Sequence, residues 1–332
     1  YGLGNITEIS PILLYNNKQK YYSITYDVVN RDYKQDIEQS IEVIIDTNQK
    51  LFDYICHIFK EIIYELYKII DNTEIPLSIT DKQEILNKYN QLIQVKSNSN
   101  IFMGPQPITL TKDHLNIDNP ESIIHNYVVT EKADGYRYLL FIDEVSHYGY
   151  LISGKKISYF KNNKLQKILN VIHTGVRFTN IKGSWLLDGE YIDKDKHGGP
   201  LHMFMIFDVY YADKEYAAHP YTYPFISDSI SRSSILNDFK NNILSSITHM
   251  DENKVLDIYL KSYEKGLLSK ESRNSKLNDI IFLQSKKILD KSHSNDSSID
   301  GYIYNIDGLI YLPAYLPVSS DLSGNVKQFI NG

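Results

Sequence analysis

The N-terminal third of the sequence shows first a strand-like and then a helical spacing of apolar positions. Residues 22–29 alternate and are rich in β-branched and aromatic side chains, and residues 41–45 place three apolar side chains on one face of a second predicted strand. Over residues 51–70 apolar side chains recur at helical spacing through about six turns, which predicts an amphipathic helix. A capping box that begins at Thr80 predicts a second helix up to about residue 93.

Beyond residue 100 the pattern becomes rich in strands. Helical spacing returns only at about residues 231–247 and 276–290. Strands and helices are mixed without a regular strand–helix–strand alternation, which favours the α+β class over a doubly wound parallel sheet. The predicted strands cover residues 127–132, 137–143, 148–153, 156–160, 184–192, 203–210, 255–263 and 302–312.

Composition limits the kinds of protein that this chain can be. Its 332 residues are enough for about two domains, and a polar run at residues 96–100 is the expected linker. Hydrophobic residues make up 42% and charged residues 23%, which excludes a disordered chain, and no apolar run is long enough for a membrane span. The net charge is −6, so a nucleic-acid partner would need a local basic patch. Cys56 is the single cysteine, which excludes a disulfide framework and a cysteine-based zinc cluster.

The segment around Lys132 is the most informative for chemistry. The apolar strand that starts at Tyr127 runs into Lys132, and Asp134-Gly135 then turns the chain into a second apolar strand. Burying a lysine at the end of an apolar strand costs free energy unless the side chain has a function. Desolvation and neighbouring cations lower the pKa of such a lysine, which can make it a nucleophile. The alternative is a hairpin in which Lys132 only flanks a favoured Asp-Gly turn.

Three strand segments that carry carboxylates follow in order. One apolar strand bears Asp188 and Glu190 around a glycine, the next ends at Asp208, and a third contains Asp307 before a glycine. Carboxylates in apolar strands are costly to bury unless they pair with a cation or a metal. Each segment taken alone also fits a turn or a surface position. Together with Lys132 they predict a cationic or metal-assisted site.

The order of these segments resembles a known motif set. Lys-x-Asp-Gly-x-Arg at residues 132–137 is followed by Asp-Gly-Glu at 188–190, an apolar strand that ends in Asp208, and Asp-Gly-Leu-Ile-Tyr at 307–311. This set resembles the covalent nucleotidyltransferases, which are the mRNA guanylyltransferases and the ATP-dependent DNA and RNA ligases. With the preceding segment 102–110, the chain is most similar to the capping enzymes of large cytoplasmic DNA viruses. The resemblance implies an α+β nucleotidyltransferase core of antiparallel sheets with flanking helices.

The resemblance also implies a role for each matching residue. Lys132 is expected to attack the α-phosphate of GTP, release pyrophosphate and form a covalent lysyl–GMP, from which GMP passes to a 5′-diphosphate RNA end. Arg137 is expected to contact the ribose or phosphate edge of the nucleotide, and Phe207 to lie beside the base. Glu190 and Asp307 are expected to hold Mg²⁺ or Mn²⁺. The other expected nucleotide-binding residues are Glu131, Asp134, Gly135, Asp208 and, besides its metal role, Glu190.

Two domains follow from the resemblance. Residues 1–98 are expected to be the C-terminal part of a tunnel-type RNA triphosphatase domain, with Glu42 as the remaining tunnel carboxylate. Ile44 interrupts the family's alternating glutamates there, and a solvent-facing Glu42 is the alternative. Residues 99–332 are expected to be the nucleotide-binding domain of the guanylyltransferase. The final lysine-rich motif of the family and its OB-fold are expected to be absent from this chain.

The implied partners are GTP, the 5′ end of nascent mRNA, a downstream methyltransferase domain of the same polypeptide and a stimulatory subunit. The expected location is a cytoplasmic viral factory or the virion, with no membrane attachment. Two other functions stay open at this point. One is an ATP-dependent polynucleotide ligase that uses the same lysine chemistry, and the other is a non-catalytic interaction module.

Overall fold

The structure is a computed structural model, and it divides into two compact units, residues 1–70 and residues 71–332. The second unit begins at Asp71, which is 28 residues before the domain boundary expected from the sequence. The structure describes residues 10–16, 19–25, 49–71, 73–96, 101–119, 121–217, 219–222, 230–250, 256–266, 280–293 and 301–318.

The N-terminal unit contains one described hairpin and one long helix. Strand β1 (Ser10–Asn16) pairs with the antiparallel strand β2 (Gln19–Thr25), and helix α1 covers Gln49–Asp71. The helix confirms the prediction from apolar spacing. The predicted strand at 41–45, including the proposed tunnel carboxylate Glu42, lies outside the described residues.

The second unit is built on a large, mostly antiparallel sheet. Its strands run in the order β10-β6-β5-β4-β7-β8-β11, and a short strand β9 pairs with β8. Only β11 runs parallel to its neighbour, β8, among the described pairings of this sheet. The strand bounds are β4 Tyr136–Ile142, β5 Tyr148–Lys161, β6 Lys164–Phe178, β7 Trp185–Lys194, β8 Pro200–Ala212, β9 Glu215–Tyr216, β10 Ile247–His249 and β11 Asp257–Leu260.

A smaller antiparallel sheet carries the two ends of the motif set. Its strands are β3 (Tyr127–Ala133), β12 (Glu264–Lys265) and β13 (Ile306–Pro313), in the order β12-β3-β13. Since β3 lies in this sheet and β4 in the large one, the Asp134-Gly135 turn joins two sheets. The alternative of a simple β3–β4 hairpin is therefore wrong.

Helices cover the sheets. Helix α2 (Ile79–Leu92) is capped by Ser78, whose hydroxyl accepts from the Asp81 backbone N–H at 3.2 Å, so the cap lies two residues before the predicted one. Helix α3 spans Arg232–Asn242 and helix α4 spans Ile280–His293. Short 3₁₀ turns lie at Lys112–Leu115 and Leu244–Ser246.

Alternate residues of the large sheet feed two apolar cores. Leu140 and Ile142 of β4 belong to a core shared with the small sheet and α3, whereas Leu139 and Phe141 belong to a core shared with α2. Tyr89 of α2 is fully buried in the second core. The large sheet is therefore packed on both faces, and this packing fixes the ends of β4 and β7 on which the site is built.

The α+β class and the antiparallel sheets are confirmed, but several strands were not predicted, and β6 is the longest of them. The two strands predicted at 148–153 and 156–160 form the single strand β5. Its partner β6 was not predicted, because its first four residues are polar or exposed and interrupt the alternation. The helix predicted at 231–247 ends at Asn242, and its last part forms a 3₁₀ turn and β10.

Candidate active site

Lys132 and Asp307 meet at the edge of the small sheet. Lys132 Nζ lies 2.6 Å from Asp307 Oδ1 and 2.5 Å from Oδ2, and the side chains are 42% and 48% exposed. The pairing of β13 with β3 shifts between Ile306 and Gly308, so Asp307 occupies a bulge opposite Lys132. Gly308 has a φ of +154°, which side chains other than glycine rarely adopt. A bulge of this kind re-aims one side chain, here the Asp307 carboxylate towards the lysine.

The Asp134-Gly135 turn leaves its acid in solvent and its glycine in a narrow gap. Asp134 is exposed, and its backbone N–H donates to the Asn305 carbonyl at 2.9 Å, which holds the turn beside the start of β13. A Cβ atom at Gly135 would lie 2.7 Å from the Tyr191 carbonyl oxygen. The glycine is therefore required by the close approach of β7 and not by hairpin geometry.

Arg137 is held as a fixed fork at the start of β4. Its Nε donates to Asp188 Oδ1 at 3.0 Å and its Nη2 to Asp188 Oδ2 at 2.5 Å. Its Nη1 donates to the Pro105 carbonyl at 2.8 Å, and the guanidinium lies 5.6 Å from the centroid of the Phe102 ring. Segment 102–105 thus packs onto the arginine.

The acid of this pair is completely buried. Asp188 is paired with Arg137 and also accepts a hydrogen bond from Tyr210, whose hydroxyl is buried beside it. Burial works against the arginine's charge, but the paired Asp188 more than compensates and raises the pKa of Arg137 above its ordinary value. Arg137 therefore keeps its charge and a single orientation, which suits recognition of a phosphate or ribose oxygen.

A second lysine, Lys261, lies in the interior behind the exposed pair. It follows the last residue of β11, and its Nζ donates to Glu190 Oε2 at 3.0 Å and to the Glu131 carbonyl at 3.1 Å. The ammonium also lies 3.7 Å from Glu131 Oε1 and 5.7 Å from the centroid of the Phe207 ring. Sequence reasoning missed this residue, although it carries the same signal as Lys132: a lysine directly after an apolar strand.

Glu131 is buried among polar partners and does not face solvent. Its carboxylate accepts from Thr130 Oγ1 at 2.6 Å and from the Tyr304 hydroxyl at 3.0 Å. Burial and the Glu131 charge both raise the pKa of Tyr304 above its ordinary value, so that phenol stays a donor. Glu131, Glu190 and Lys261 form one buried network between the two sheets, which we call the inner network.

Asp208 lies outside the inner network and forms an ion pair with an arginine of α3. Its carboxylate accepts from Arg232 Nε at 2.7 Å and Nη2 at 3.3 Å, and Arg232 Nη1 donates to the carbonyls of His219 and Leu316. Both charged side chains are buried. The expected contact of Asp208 with nucleotide stays a prediction, and its pair with Arg232 links α3 to β8.

The two carboxylates expected to hold metal, Glu190 and Asp307, lie in different surroundings, one in the inner network and one beside Lys132. Among the described residues no group of three His, Cys, Asp or Glu side chains forms a ready metal site. Mg²⁺ in nucleotide-dependent enzymes is held by one or two carboxylates together with substrate phosphates and water. An exposed Asp307 beside Lys132 fits such a partial donor set, and Glu190 would have to share its carboxylate with Lys261.

Residues 70–266 match the family model of the mRNA capping enzyme catalytic domain. The chain belongs to this family. The matched range contains Lys132, Arg137, Asp188, Glu190 and Lys261, and so most of the candidate site. The resemblance to viral capping enzymes that the motif order indicated is thereby confirmed.

One curated relative shows the same relationship. The chain is 28% identical over 271 residues to a probable mRNA-capping enzyme of Acanthamoeba polyphaga mimivirus. The alignment covers 76% of this chain and 21% of the relative, so the chain spans about a fifth of that protein. In the part of the chain that the structure describes, no helix is long and apolar enough to cross a membrane.

Proposed function

We propose that this capping-family domain is an mRNA guanylyltransferase that works through a covalent Lys132–GMP intermediate. The observation that carries the proposal is the position of Lys132 at the end of β3, half exposed, paired with Asp307 and inside the family-matched range. An ammonium that is exposed and held by a single carboxylate can be reached by a substrate, whereas Lys261 cannot.

In the first step the Lys132 amine attacks the α-phosphorus of GTP. A bond forms between Nζ and phosphorus, the bond from the α-phosphorus to the bridging oxygen breaks, and pyrophosphate leaves with that electron pair. The Lys132 ammonium gives up two protons to solvent as the phosphoamide forms, and Asp307 is the carboxylate within 2.6 Å that orients the nitrogen.

In the second step a terminal phosphate oxygen of a 5′-diphosphate RNA attacks the same phosphorus. The phosphorus–nitrogen bond breaks, and Nζ takes up two protons from solvent and returns as an ammonium to its pair with Asp307. Arg137, fixed by Asp188, is placed to contact a phosphate or ribose oxygen, and Phe207 to lie against the base. Mg²⁺ or Mn²⁺, held by Asp307 with Glu190, would neutralise phosphate charge during both steps.

Nucleotide labelling tests the proposal. The protein is incubated with GTP labelled at the α-phosphate and Mg²⁺ or Mn²⁺, then denatured, and the expected result is acid-labile label on the chain. Lys132→Arg keeps a cation beside Asp307 but removes the amine that attacks, so it should carry no label. Lys240→Met, which changes an exposed lysine of α3, should label like the parent.

The outcomes separate the alternatives. Label from ATP but not from GTP would assign ligase chemistry in place of capping. Absence of label from both nucleotides, in the longest polypeptide that carries this sequence, would overturn both enzymatic functions and leave an interaction module.

The neighbouring activities that the resemblance implies stay predictions. They are RNA triphosphatase chemistry that involves Glu42, a methyltransferase domain and a stimulatory subunit. The mimivirus relative is called a probable mRNA-capping enzyme, and this chain matches 21% of it.

A further inference from the structure

Strands β5 and β6 extend beyond the rest of the large sheet as a two-stranded arm, residues 154–167. Strand β4 pairs with β5 only up to Ser153, and β10 pairs with β6 only over residues 176–178. The arm closes at Asn162-Asn163, whose φ values of 51° and 59° are those of a tight two-residue hairpin turn. Gln83 Nε2 of α2 donates to the Tyr159 hydroxyl at 2.5 Å, which braces the arm against the body of the unit.

The arm is strongly basic in a chain whose net charge is negative. No aspartate or glutamate occurs between Glu144 and Asp188, while the chain as a whole has a net charge of −6. The lysines of the arm are all exposed, and they are Lys155, Lys156, Lys161, Lys164 and Lys167. This is the local basic patch that an acidic chain needs if it is to hold a polyanion.

The lysines of the arm bring like charges close together. Lys161 lies directly opposite Lys164 in the strand register, and like charges in opposite positions repel. Lys161, Lys164 and Lys167 line a surface pocket of about 360 Å³ together with Tyr159. A polyanion seated at this pocket would face three ammonium groups that carry the same charge.

An exposed aromatic side chain accompanies the charges. Phe160 is 78% exposed and lies opposite Leu165, which is 56% exposed, on the tip of the arm. Single-strand binding proteins use exposed aromatic side chains to stack bases, and stacking does not depend on which base is present. Lysines interleaved with an exposed aromatic residue fit a single-stranded nucleic acid better than a rigid duplex.

The base of the arm lies beside the candidate active site. Lys155 Nζ is 5.2 Å from the centroid of the Tyr136 ring, and Tyr136 directly follows the Asp134-Gly135 turn. A Cβ at Gly154 would meet the Phe102 ring at 3.5 Å, and that ring packs on the Arg137 guanidinium. A strand that follows the arm would thus reach Arg137 and Lys132 at its end.

We propose that the β5–β6 arm binds the single-stranded 5′ region of the acceptor RNA and leads its end to Lys132. The identity of the ligand, the acceptor RNA, rests on the proposed function. The existence of the arm and its positive charge are independent of that function. A second explanation for the lysines is protection of two unpaired strand edges against aggregation, and a third is docking of an acidic protein. Both are outcomes of the test.

The test is RNA binding at several salt concentrations. A single-stranded RNA with a 5′-diphosphate is titrated with the protein and followed by fluorescence anisotropy, without nucleotide. Each lysine–phosphate contact contributes about −0.7 to the slope of log K against log salt, so five contacts predict roughly −3.5. The triple variant Lys161→Gln, Lys164→Gln, Lys167→Gln should lose about two units of slope and bind at least about tenfold more weakly at low salt.

A matched variant controls for overall charge. Lys240→Gln, Lys286→Gln, Lys287→Gln removes three exposed lysines from α3 and α4, changes net charge by the same amount and should keep the parental slope. Phe160→Ala should weaken binding about tenfold without changing the slope, because stacking carries no counterion release. Equal losses in both triple variants would overturn the proposal, since the effect would then be global charge.

Three further outcomes decide the rest. Unchanged RNA affinity in the arm variant would overturn the proposal and leave edge protection, and arm-dependent binding of polyglutamate but not RNA would assign an acidic protein partner instead. Labelling of Lys132 by GTP should be the same in the arm variant and the parent, and a loss of labelling would overturn a role confined to RNA. If RNA binding depends on the arm but neither GTP nor ATP labels the protein, the proposed function is wrong and the RNA-binding role of the arm is supported.

Discussion

The two lysines of the site, Lys132 and Lys261, differ in how they are held. Lys132 pairs with Asp307 at the surface, where the side chains are 42% and 48% exposed. Lys261 is completely buried and binds Glu190 and the carbonyl of Glu131 in the inner network. Both lysines follow an apolar strand, so the surroundings and not the local sequence separate them.

The difference has an energetic meaning. An exposed ion pair contributes about 0–1 kcal/mol, because water and salt compensate for its loss. Removing one partner of a buried pair costs about 3–5 kcal/mol, because an uncompensated charge stays in the interior. Lys132 can therefore leave Asp307 for a substrate phosphate at little cost, whereas Lys261 acts as a fixed cation that holds β11 and β7 against β3.

The largest expected effect tests the buried side of this comparison. Lys261→Met leaves the carboxylates of Glu190 and Glu131 without their shared cation, and we expect the free energy of unfolding to fall by about 3–5 kcal/mol. Urea unfolding followed by circular dichroism measures it. The double variant Lys261→Met, Glu190→Gln should recover part of the loss, because one of the two charges is then removed. A loss below about 1 kcal/mol in the single variant would show that the inner network is hydrated and contradict the comparison.

His173 sharpens the comparison, because this buried side chain has no ion pair among the residues that the structure describes. It is packed between the rings of Tyr148 and Tyr150, and burial lowers its pKa to about 4. The unfolded chain takes up the proton near pH 6.5, so between about pH 6.5 and 4 the unfolded state binds more protons than the folded one. Stability contributed by neutral His173 is therefore present above that window and is lost as the pH falls through it, by up to about 3 kcal/mol.

The measurement is urea unfolding at several pH values between 7 and 4. His173→Gln should be less stable than the parent at pH 7 but should lose less stability on acidification, because its amide does not titrate. His197→Gln changes an exposed histidine and should follow the parental pH profile. Identical profiles for all three proteins would mean that the pKa of His173 is the same in the folded and unfolded states, which would contradict the lowered pKa.

The smallest expected effect lies on the exposed side. Lys132→Met and Asp307→Asn should each change the free energy of unfolding by less than about 1 kcal/mol, and the change should shrink further in high salt. Both variants should nevertheless lose labelling by GTP under the proposed function. Destabilisation of Lys132→Met as large as that of Lys261→Met would remove the distinction between the two lysines.

Part of the fold and site could be predicted from local pattern. The helix at 51–70 and most strands of the second unit follow from spacing, and the motif order predicted that Lys132, Arg137, Glu190 and Asp307 share one site. The sequence did not predict strand β6, because the exposed residues at its start break the alternation of apolar and polar positions. Its register is set by pairing with β5. Lys261 and the Asp208–Arg232 pair escaped detection because each depends on partners 24 to 130 residues away.

The sequence by itself determined the chemical groups and their order: a lysine before an Asp-Gly turn, an arginine, and three carboxylate-bearing strands. Only the tertiary structure decided which of them are free to react. The bulge at Asp307 and the gap at Gly135 come from strand register, and the burial of Lys261 comes from the packing of two sheets. Local sequence specifies hydrophobic period and turn geometry, whereas the solvation of a charge depends on every element packed around it.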